Sequence, residues 1–361
     1  MVRVAFDAMG GDHGAAEVVP GVIDYARAHP NVELILVGDT ATIRRLAGDL
    51  PANTRIVHAG SVIDMDEHNP ALAMREKKDA SILVAAELVR KGEADAVVTA
   101  GHTGAGMAAG ILKLGRLAGV DRPGLAVQMV TDTGPLVLID IGANPDSTAD
   151  NLAQYARMGA IFAEKVLDVA DPRVALLSIG EEKGKGDARI QRATELLDAS
   201  TLRFVGNVEG RDLTKHTADV VVTDAVAGNV VIKFFEGLSS FIFDLWRREF
   251  RASWRGRLAY LLMRPSIGRI RSIFDYETHG GSLLLGVKGI VIITHGSAKR
   301  RMIGYACDVA ARTAAARVPD LIAEALAADR QRLAELAGAA DPASTDSADD
   351  AAASTDEEVV S

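Results

Sequence analysis

Cysteine is nearly missing from this chain. Cys307 is the single example among 361 residues, which excludes an intramolecular disulfide and a cysteine metal cluster and fits a reducing cytosol. A lone cysteine in a helical stretch is expected to serve as a small core hydrophobe. No run reaches about 18 uninterrupted apolar residues, and the opening MVRVAFD lacks the basic start and apolar stretch of a leader. The expectation is a protein neither secreted nor membrane-spanning. Histidines 13, 29, 58, 68, 102, 216, 279 and 295 are scattered, without an HxxxH pair on a helix, so no metal site is expected. There is no GxSxG elbow and no GxxxxGK[ST] loop. The stretch TAGHTGAG has glycines at 101, 104 and 106, spaced GxxGxG where the dinucleotide fingerprint is GxGxxG. NAD and ATP are disfavoured, and no cofactor is expected.

What is present is a large apolar content, 48%, sufficient for one large core or two coupled lobes. The net charge of −9 is concentrated at one end. The 24 residues from Gly338 hold seven acids and no Lys or Arg, leaving −2 on the rest. With two valines and no aromatics, the tail at 338–361 is expected to be disordered and acidic. Residues 1–337 are expected to form one catalytic α/β unit.

Short apolar β-branched runs alternate with helical stretches up to about Gly237. Strands are expected at Val2–Phe6, Glu33–Val37, Arg55–Val57, Ala96–Ala100, Leu136–Asp140, Val174–Ser178, Phe204–Gly206 and Val220–Thr223. Helices are expected at 17–27, 41–47, 81–90, 105–117, 152–167 and 188–197. Apolar runs without alternation indicate strands covered on both faces, hence a mostly parallel, doubly wound α/β sheet. Several runs end in loops rich in Gly, Asp and Asn: DAMGGDHG from Asp7, VGDT from Val37, TAGHTGAG from Thr99, DIGANPD from Asp140, SIGEEKGKG from Ser178 and TDAVAGN from Thr223. Ligands of open α/β sheets sit beyond the carboxyl ends of strands, so these loops are expected to line one cleft. Glycine lets backbone N–H groups approach a ligand, and a following helix N-terminus adds positive potential, a combination that suits phosphate. Bound phosphate can itself attack an activated acyl carbon if it is held in line and the developing oxyanion is stabilised.

The motifs DAMGGD (7–12), REKKDAS (75–81), TAGHTGA (99–105), DIGANPD (140–146), IGEEKGKG (179–186), VGNVEGRDL (205–213), VTDAVAGNV (222–230), FFEG (234–237) and THGSA (294–298) resemble those of the bacterial phosphate acyltransferases. The resemblance runs from Asp7 to about Arg300. It implies a fold like that of phosphate acetyltransferases and isocitrate dehydrogenases, a homodimer, and transfer of a fatty acyl group from acyl-acyl carrier protein to orthophosphate. It also implies a membrane acyltransferase that passes the acyl phosphate to glycerol 3-phosphate. The chain departs from the family pattern at His13, His102 and Pro145, so neither histidine suits an obligatory base.

Positions that keep the pattern are better candidates. Lys185 can neutralise phosphate or the oxyanion, or can be an ordinary solvated lysine. Asn229 and Thr103 can donate hydrogen bonds, and His295 can carry a proton. Asp7, Asp12 and Asp224 can orient donors or cap turns, while Gly10, Gly11, Gly104, Asn144 and Gly186 belong to the phosphate-binding loops. Arg75, Lys77 and Lys78 precede a helix capped by Asp79 or Ser81, and they offer a basic surface to an acidic carrier protein.

Between Phe241 and Ile273 the composition changes. Both tryptophans fall here, and Arg247–Arg271 holds eight arginines against one acid, Glu249. On a helical wheel Trp246, Phe250 and Trp254 share one face and Arg247, Arg248, Arg251 and Arg255 the other. This predicts an amphipathic helical hairpin over 234–276, broken at Pro265, which meets a membrane surface or a dimer partner. The protein is then cytoplasmic and peripheral to the inner face of the cell membrane. Two alternatives stand beside the acyl carrier reading: a coenzyme A-dependent phosphate acetyl- or butyryltransferase, and a non-catalytic membrane-associated scaffold.

Overall fold

The computed structural model describes residues 1–131, 133–273 and 280–339. Eleven strands form one sheet: β1 (Val2–Asp7), β2 (Val32–Gly38), β3 (Thr54–His58), β4 (Ala96–Thr99), β5 (Gly124–Val130), β6 (Pro135–Ile139), β7 (Arg173–Leu177), β8 (Arg203–Val208), β9 (Val220–Val222), β10 (Ser282–Leu285) and β11 (Ile290–Ile293). Their order is β3-β2-β1-β4-β11-β10-β5-β6-β9-β7-β8. Every neighbouring pair is parallel except β11–β10, β10–β5 and β5–β6. All eight strands expected from the apolar runs are present, and the sheet is mostly parallel as expected.

The helices are α1 (Ala15–Ala28), α2 (Thr40–Ala47), α3 (Pro70–Glu76), α4 (Ser81–Arg90), α5 (Thr103–Ala109), α6 (Ala149–Val166), α7 (Ala188–Asp198), α8 (Ala225–Ala252), α9 (Trp254–Ile273), α10 (Arg300–Ala315) and α11 (Val318–Ala339). They form two layers. Residues of α1, α6, α7, α10 and α11 pack on one face of the sheet, burying Phe6, Ile139 and Leu176 among others. On the other face α3, α4, α5 and the first turns of α8 cover Ala5, Val97, Leu138 and Val221. Both faces are therefore dry, which is why the strand sequences run apolar without alternation. Cys307 lies in the first layer, fully buried, and burial pushes its thiol well above the ordinary range.

Each half of the sheet carries the same clamp where its strands begin. Arg3 at the start of β1 donates from its backbone N–H and guanidinium to Asp95, just before β4. Arg173 at the start of β7 donates in the same way to Asp219, just before β9. Burial raises the Asp219 pKa, but the Arg173 hydrogen bonds and charge outweigh it, so the net shift is downward. A depressed carboxyl contributes stability that is present above its unfolded pKa, near 3.9, and lost as pH falls through the lower folded value. Asp219→Asn is therefore expected to flatten the loss of stability below about pH 4; denaturant midpoints measured across that range check this.

Two expectations need correction. The hairpin does not break at Pro265, which lies inside α9; the chain turns at Ser253, between α8 and α9. The helix after REKKDAS is not capped by Asp79 or Ser81. Ala80 holds the cap position without a side-chain bond, and Asp79 accepts from the Ser61 hydroxyl at 2.6 Å. The end of the expected hairpin at 274–276 and all but the first two residues of the acidic tail lie outside the described residues.

Candidate functional site

The glycine-rich loops gather as two sets rather than one. The reason is strand direction: the antiparallel steps through β10 and β5 reverse the sheet, so the carboxyl ends of β1, β4 and β11 lie at the opposite end from those of β6, β9 and β7.

In the first set, the loops after β1, β4 and β11 touch. Asp12 donates its N–H to the Gly296 carbonyl at 2.8 Å. A Cβ on Gly10 would lie 2.8 Å from the Gly101 backbone and from Asp7 Oδ2, so only glycine permits this approach. Gly11 adopts a left-handed φ of 103°, which favours glycine at that turn. Asp7 is buried and accepts from the Thr99 hydroxyl at 2.8 Å and the Met9 N–H at 3.2 Å. Burial raises its pKa against the pull of these donors. The fully buried Ser81 hydroxyl adds to the donors that pull this pKa down. Thr103, exposed, opens α5, and His102 caps that helix through Nδ1 at 3.4 Å from the Ala105 N–H. His13 is exposed. His295 Nδ1 lies 2.7 Å from the Ser297 hydroxyl.

The second set is organised by a residue the motif reading passed over as part of DIGANPD. Asp140 is fully buried and accepts four backbone N–H bonds, from Leu125, Gly142, Ala143 and Asn144, at 2.7–3.0 Å. Burial raises its pKa while the four donors oppose the rise. The α8 N-terminus seats on this loop so closely that a Cβ on Gly228 would lie 2.0 Å from the Asp140 carbonyl oxygen. Gly228→Ala is expected to cost about 1–3 kcal/mol and to displace Asn229, an outcome read from the denaturation midpoint together with turnover.

Asp224 caps α8 by accepting from the Val226 and Ala227 N–H groups and pairs with Arg189 at 2.9 Å. Its place is to orient, since its oxygens are spent on protein donors. Arg189 was invisible to motif reading because its partner is 35 residues away; one of its nitrogens, Nε, is buried without a partner among the described residues. Asn144 also turns out to be structural: its amide donates to the Pro123 carbonyl and to the Tyr155 hydroxyl. Its side chain is thus occupied, which leaves its loop to act through backbone groups.

Lys185 stands in the loop after β7, exposed and without an ion-pair partner among the described residues. Gly184 and Gly186 flank it at φ of 92° and 93°, and Gln191 donates to both their carbonyls, at 2.9 and 3.2 Å. Asn229 is exposed in the second turn of α8. Lys185, Asn229, Asp224 and Gly186 thus belong to the second set, and Asp7, Gly10, Gly11, Asp12, Thr103, Gly104 and His295 to the first.

The basic REKKDAS side chains are not equivalent. Arg75 and Lys78 are exposed, whereas the Lys77 ammonium is held by Asp64 at 2.8 Å and the Val62 carbonyl at 2.9 Å. The hairpin divides similarly. Trp246 and Phe250 are half-buried; Phe250 packs on Tyr260 of α9 with ring centres 5.6 Å apart. Trp254, at 70% exposure, and Leu262, at 75%, face outward, as do Arg247, Arg248, Arg251 and Arg255.

This architecture is shared with solved phosphotransacetylases. The enzyme of Streptococcus pyogenes superposes with a TM-score of 0.58 at 18% identity, covering 87% of this chain and 94% of that one. The EutD phosphotransacetylase of Staphylococcus aureus superposes with a TM-score of 0.55 at 14% identity, covering 87% and 94%. A family model described as "Fatty acid synthesis protein" matches residues 2–321, and the curated relatives are named as acyltransferases, which defines the class. One, the phosphate acyltransferase of Desulfitobacterium hafniense strain Y51, is 46% identical over 86% of this chain and 93% of its own length. That of Heliobacterium modesticaldum is 46% identical over the same shares, and that of Nitratidesulfovibrio vulgaris strain DP4 is 41% identical over 91% and 96%. The chain belongs to the bacterial phosphate acyltransferase family, and its reaction is acyl transfer to phosphate.

Proposed function

We propose that the donor is a long-chain acyl-acyl carrier protein and that the product is an acyl phosphate destined for phospholipid synthesis. The observation that carries this reading is the second loop set: an exposed Lys185 with no ion-pair partner among the described residues, an exposed Asn229, and a helix N-terminus held by Asp140 and Asp224. That arrangement binds and steers an anion without a protein nucleophile. A phosphate oxygen attacks the thioester carbonyl carbon, the carbon–sulfur bond breaks, and the carrier leaves as its thiol, taking up the proton that phosphate releases. Lys185 and the Asn229 amide offset the charge on phosphate and on the carbonyl oxygen as it develops.

The carrier would meet Arg75 and Lys78, which have no ion-pair partner among the described residues, more readily than Lys77. For the hairpin, α8 is long and apolar enough to cross a membrane by length and composition. Its first three turns, however, pack on the sheet through Val231, Ile232 and Phe235. Roughly 17 residues remain, about 25 Å of helix, which is shorter than the roughly 30 Å hydrocarbon core. Contact of the hairpin's tip with the headgroup layer, through Trp254 and Leu258 with Arg251 and Arg255 beside them, is the better physical fit. A homodimer would cover the exposed α8 stripe of Val230, Phe234 and Leu238.

The test is purified protein with palmitoyl-acyl carrier protein and orthophosphate, with palmitoyl-coenzyme A in parallel. Phosphate-dependent thiol release and acyl phosphate from the carrier thioester are expected. Turnover confined to short coenzyme A esters would move the protein to a phosphate acetyl- or butyryltransferase activity.

A further inference from the structure

We infer that Arg189 makes room for the charge of phosphate: it cancels the two carboxylates that cap α7 and α8, which would otherwise repel the anion that those helix N-termini attract. This rests on the reading above that Lys185 and Asn229 hold phosphate.

The need for such a group follows from the caps. Asp187 caps α7 by accepting from the Ile190 N–H at 2.8 Å, and Asp224 caps α8 by accepting from Val226 and Ala227. An aspartate suits a cap because its charge answers the positive end of the helix dipole. The same charge works against an anion, since it offsets the potential that draws one to a helix N-terminus. Both carboxylates stand close to the residues assigned to phosphate. Asp187 follows Lys185 by two positions, and Asp224 precedes Asn229 by five, about 8 Å along the helix axis.

One terminal nitrogen of Arg189 reaches both carboxylates, Asp224 at 2.9 Å and Asp187 at 3.3 Å, and the other donates to the Ser147 carbonyl at 3.3 Å. The loops after β6, β7 and β9 therefore meet at this one guanidinium. Among the described residues no other cation pairs with either carboxylate. The Arg189 and Asp224 side chains are 27% and 16% exposed, so water screens this pair only in part. At about 8 Å and an effective dielectric of about 20, one uncompensated unit charge changes an anion's affinity about tenfold or more. The thioester carbonyl is uncharged and feels far less of it. Arg189 thus acts on phosphate through its neighbours, as a positioning residue.

The experiment measures KM for phosphate, KM for the carrier thioester and kcat in the full-length chain and three variants: Arg189→Met, Arg189→Met with Asp224→Asn, and Arg189→Lys. Arg189→Met is expected to raise the phosphate KM about tenfold or more and to leave the thioester KM within about threefold. Adding Asp224→Asn is expected to bring the phosphate KM back to within about threefold of the unmodified chain, because asparagine caps a helix without the charge. Arg189→Lys, which keeps the charge, is expected to stay within about threefold as well. A phosphate KM unmoved in Arg189→Met, a parallel rise in both KM values, or no recovery in the double variant overturns the inference. Should circular dichroism show that Arg189→Met does not fold, Arg189→Lys decides, and a rise beyond about threefold in its phosphate KM overturns it. Lys185→Ala is run alongside. If it leaves kcat/KM for phosphate within about threefold, phosphate is not held by this loop set, and the inference falls with that reading. If Lys185→Ala shows its loss while Arg189→Met shows none, the inference alone fails.

Discussion

Lys185→Ala is expected to lower kcat/KM for phosphate about 10²- to 10³-fold, the range seen when one preorganised charge-stabilising donor is removed, with no change in the thermal midpoint. The absence of a stability effect follows from position. Lys185 is exposed and has no ion-pair partner among the described residues to strand. Its neighbour Lys183, by contrast, pairs with Asp198 at 3.2 Å and serves as an internal control: Lys183→Ala should leave turnover within about twofold. The effect on catalysis follows from how firmly the loop is held. Gly184 and Gly186 adopt backbone angles that other residues resist, and Gln191 ties down both carbonyls, so the backbone that carries Lys185 is held in place. Steady-state kinetics with phosphate varied, alongside a melting curve, checks both halves. A change below threefold would return Lys185 to the solvated surface lysines and leave phosphate to the first loop set.

Asp140→Ala is expected to do the reverse, damaging stability first. Four backbone N–H groups point at one buried carboxylate, and removing it leaves them without partners in a site that α8 covers. The expected cost is about 3–5 kcal/mol, read as a fall in the denaturant midpoint. Asp140→Asn should cost less, because its carbonyl oxygen can still accept, but the amide then faces N–H donors and repels them. Activity should fall with stability in both variants, since the Asp140 loop is the seat on which Gly228, and therefore Asn229, rests.

These two residues also mark what a sequence does and does not disclose. The strands and the loops that follow them were legible because dryness on both faces leaves an unmistakable apolar run. Two strands escaped: β5, whose GLAVQMV mixes glycine and glutamine into the run, and β10, four residues long, while β11 showed only as a strand end before His295. Every antiparallel step involves one of those two, and strand sense is decided by pairing rather than by composition. Missing them turned two loop sets into one expected cleft. Roles at the site failed for a related reason. Asn144 and Asp224 have the right chemistry to touch phosphate, but chemistry does not reveal that Tyr155 and Pro123 claim one and Arg189 the other. On the hairpin, the wheel sorted greasy from charged, yet Phe250 turns toward α9 because the turn at Ser253 supplies a second helix to receive it, and Trp246 meets Phe243 of its own helix edge-on.

The length of α8 sets a distance that no single residue does. At about 1.5 Å per residue, its 28 residues make a strut of about 42 Å, fixed at one end to the sheet. Were the far end to rest on lipid headgroups, the body would stand clear of the bilayer by about 25 Å. A folded protein of about 80 residues has a radius of gyration near 12 Å and hence a diameter of about 30 Å, so a compact carrier is comparable in size to that gap. The hairpin is then a stilt as well as a foot, and its length fixes the headroom under which a donor can arrive while the enzyme stays attached.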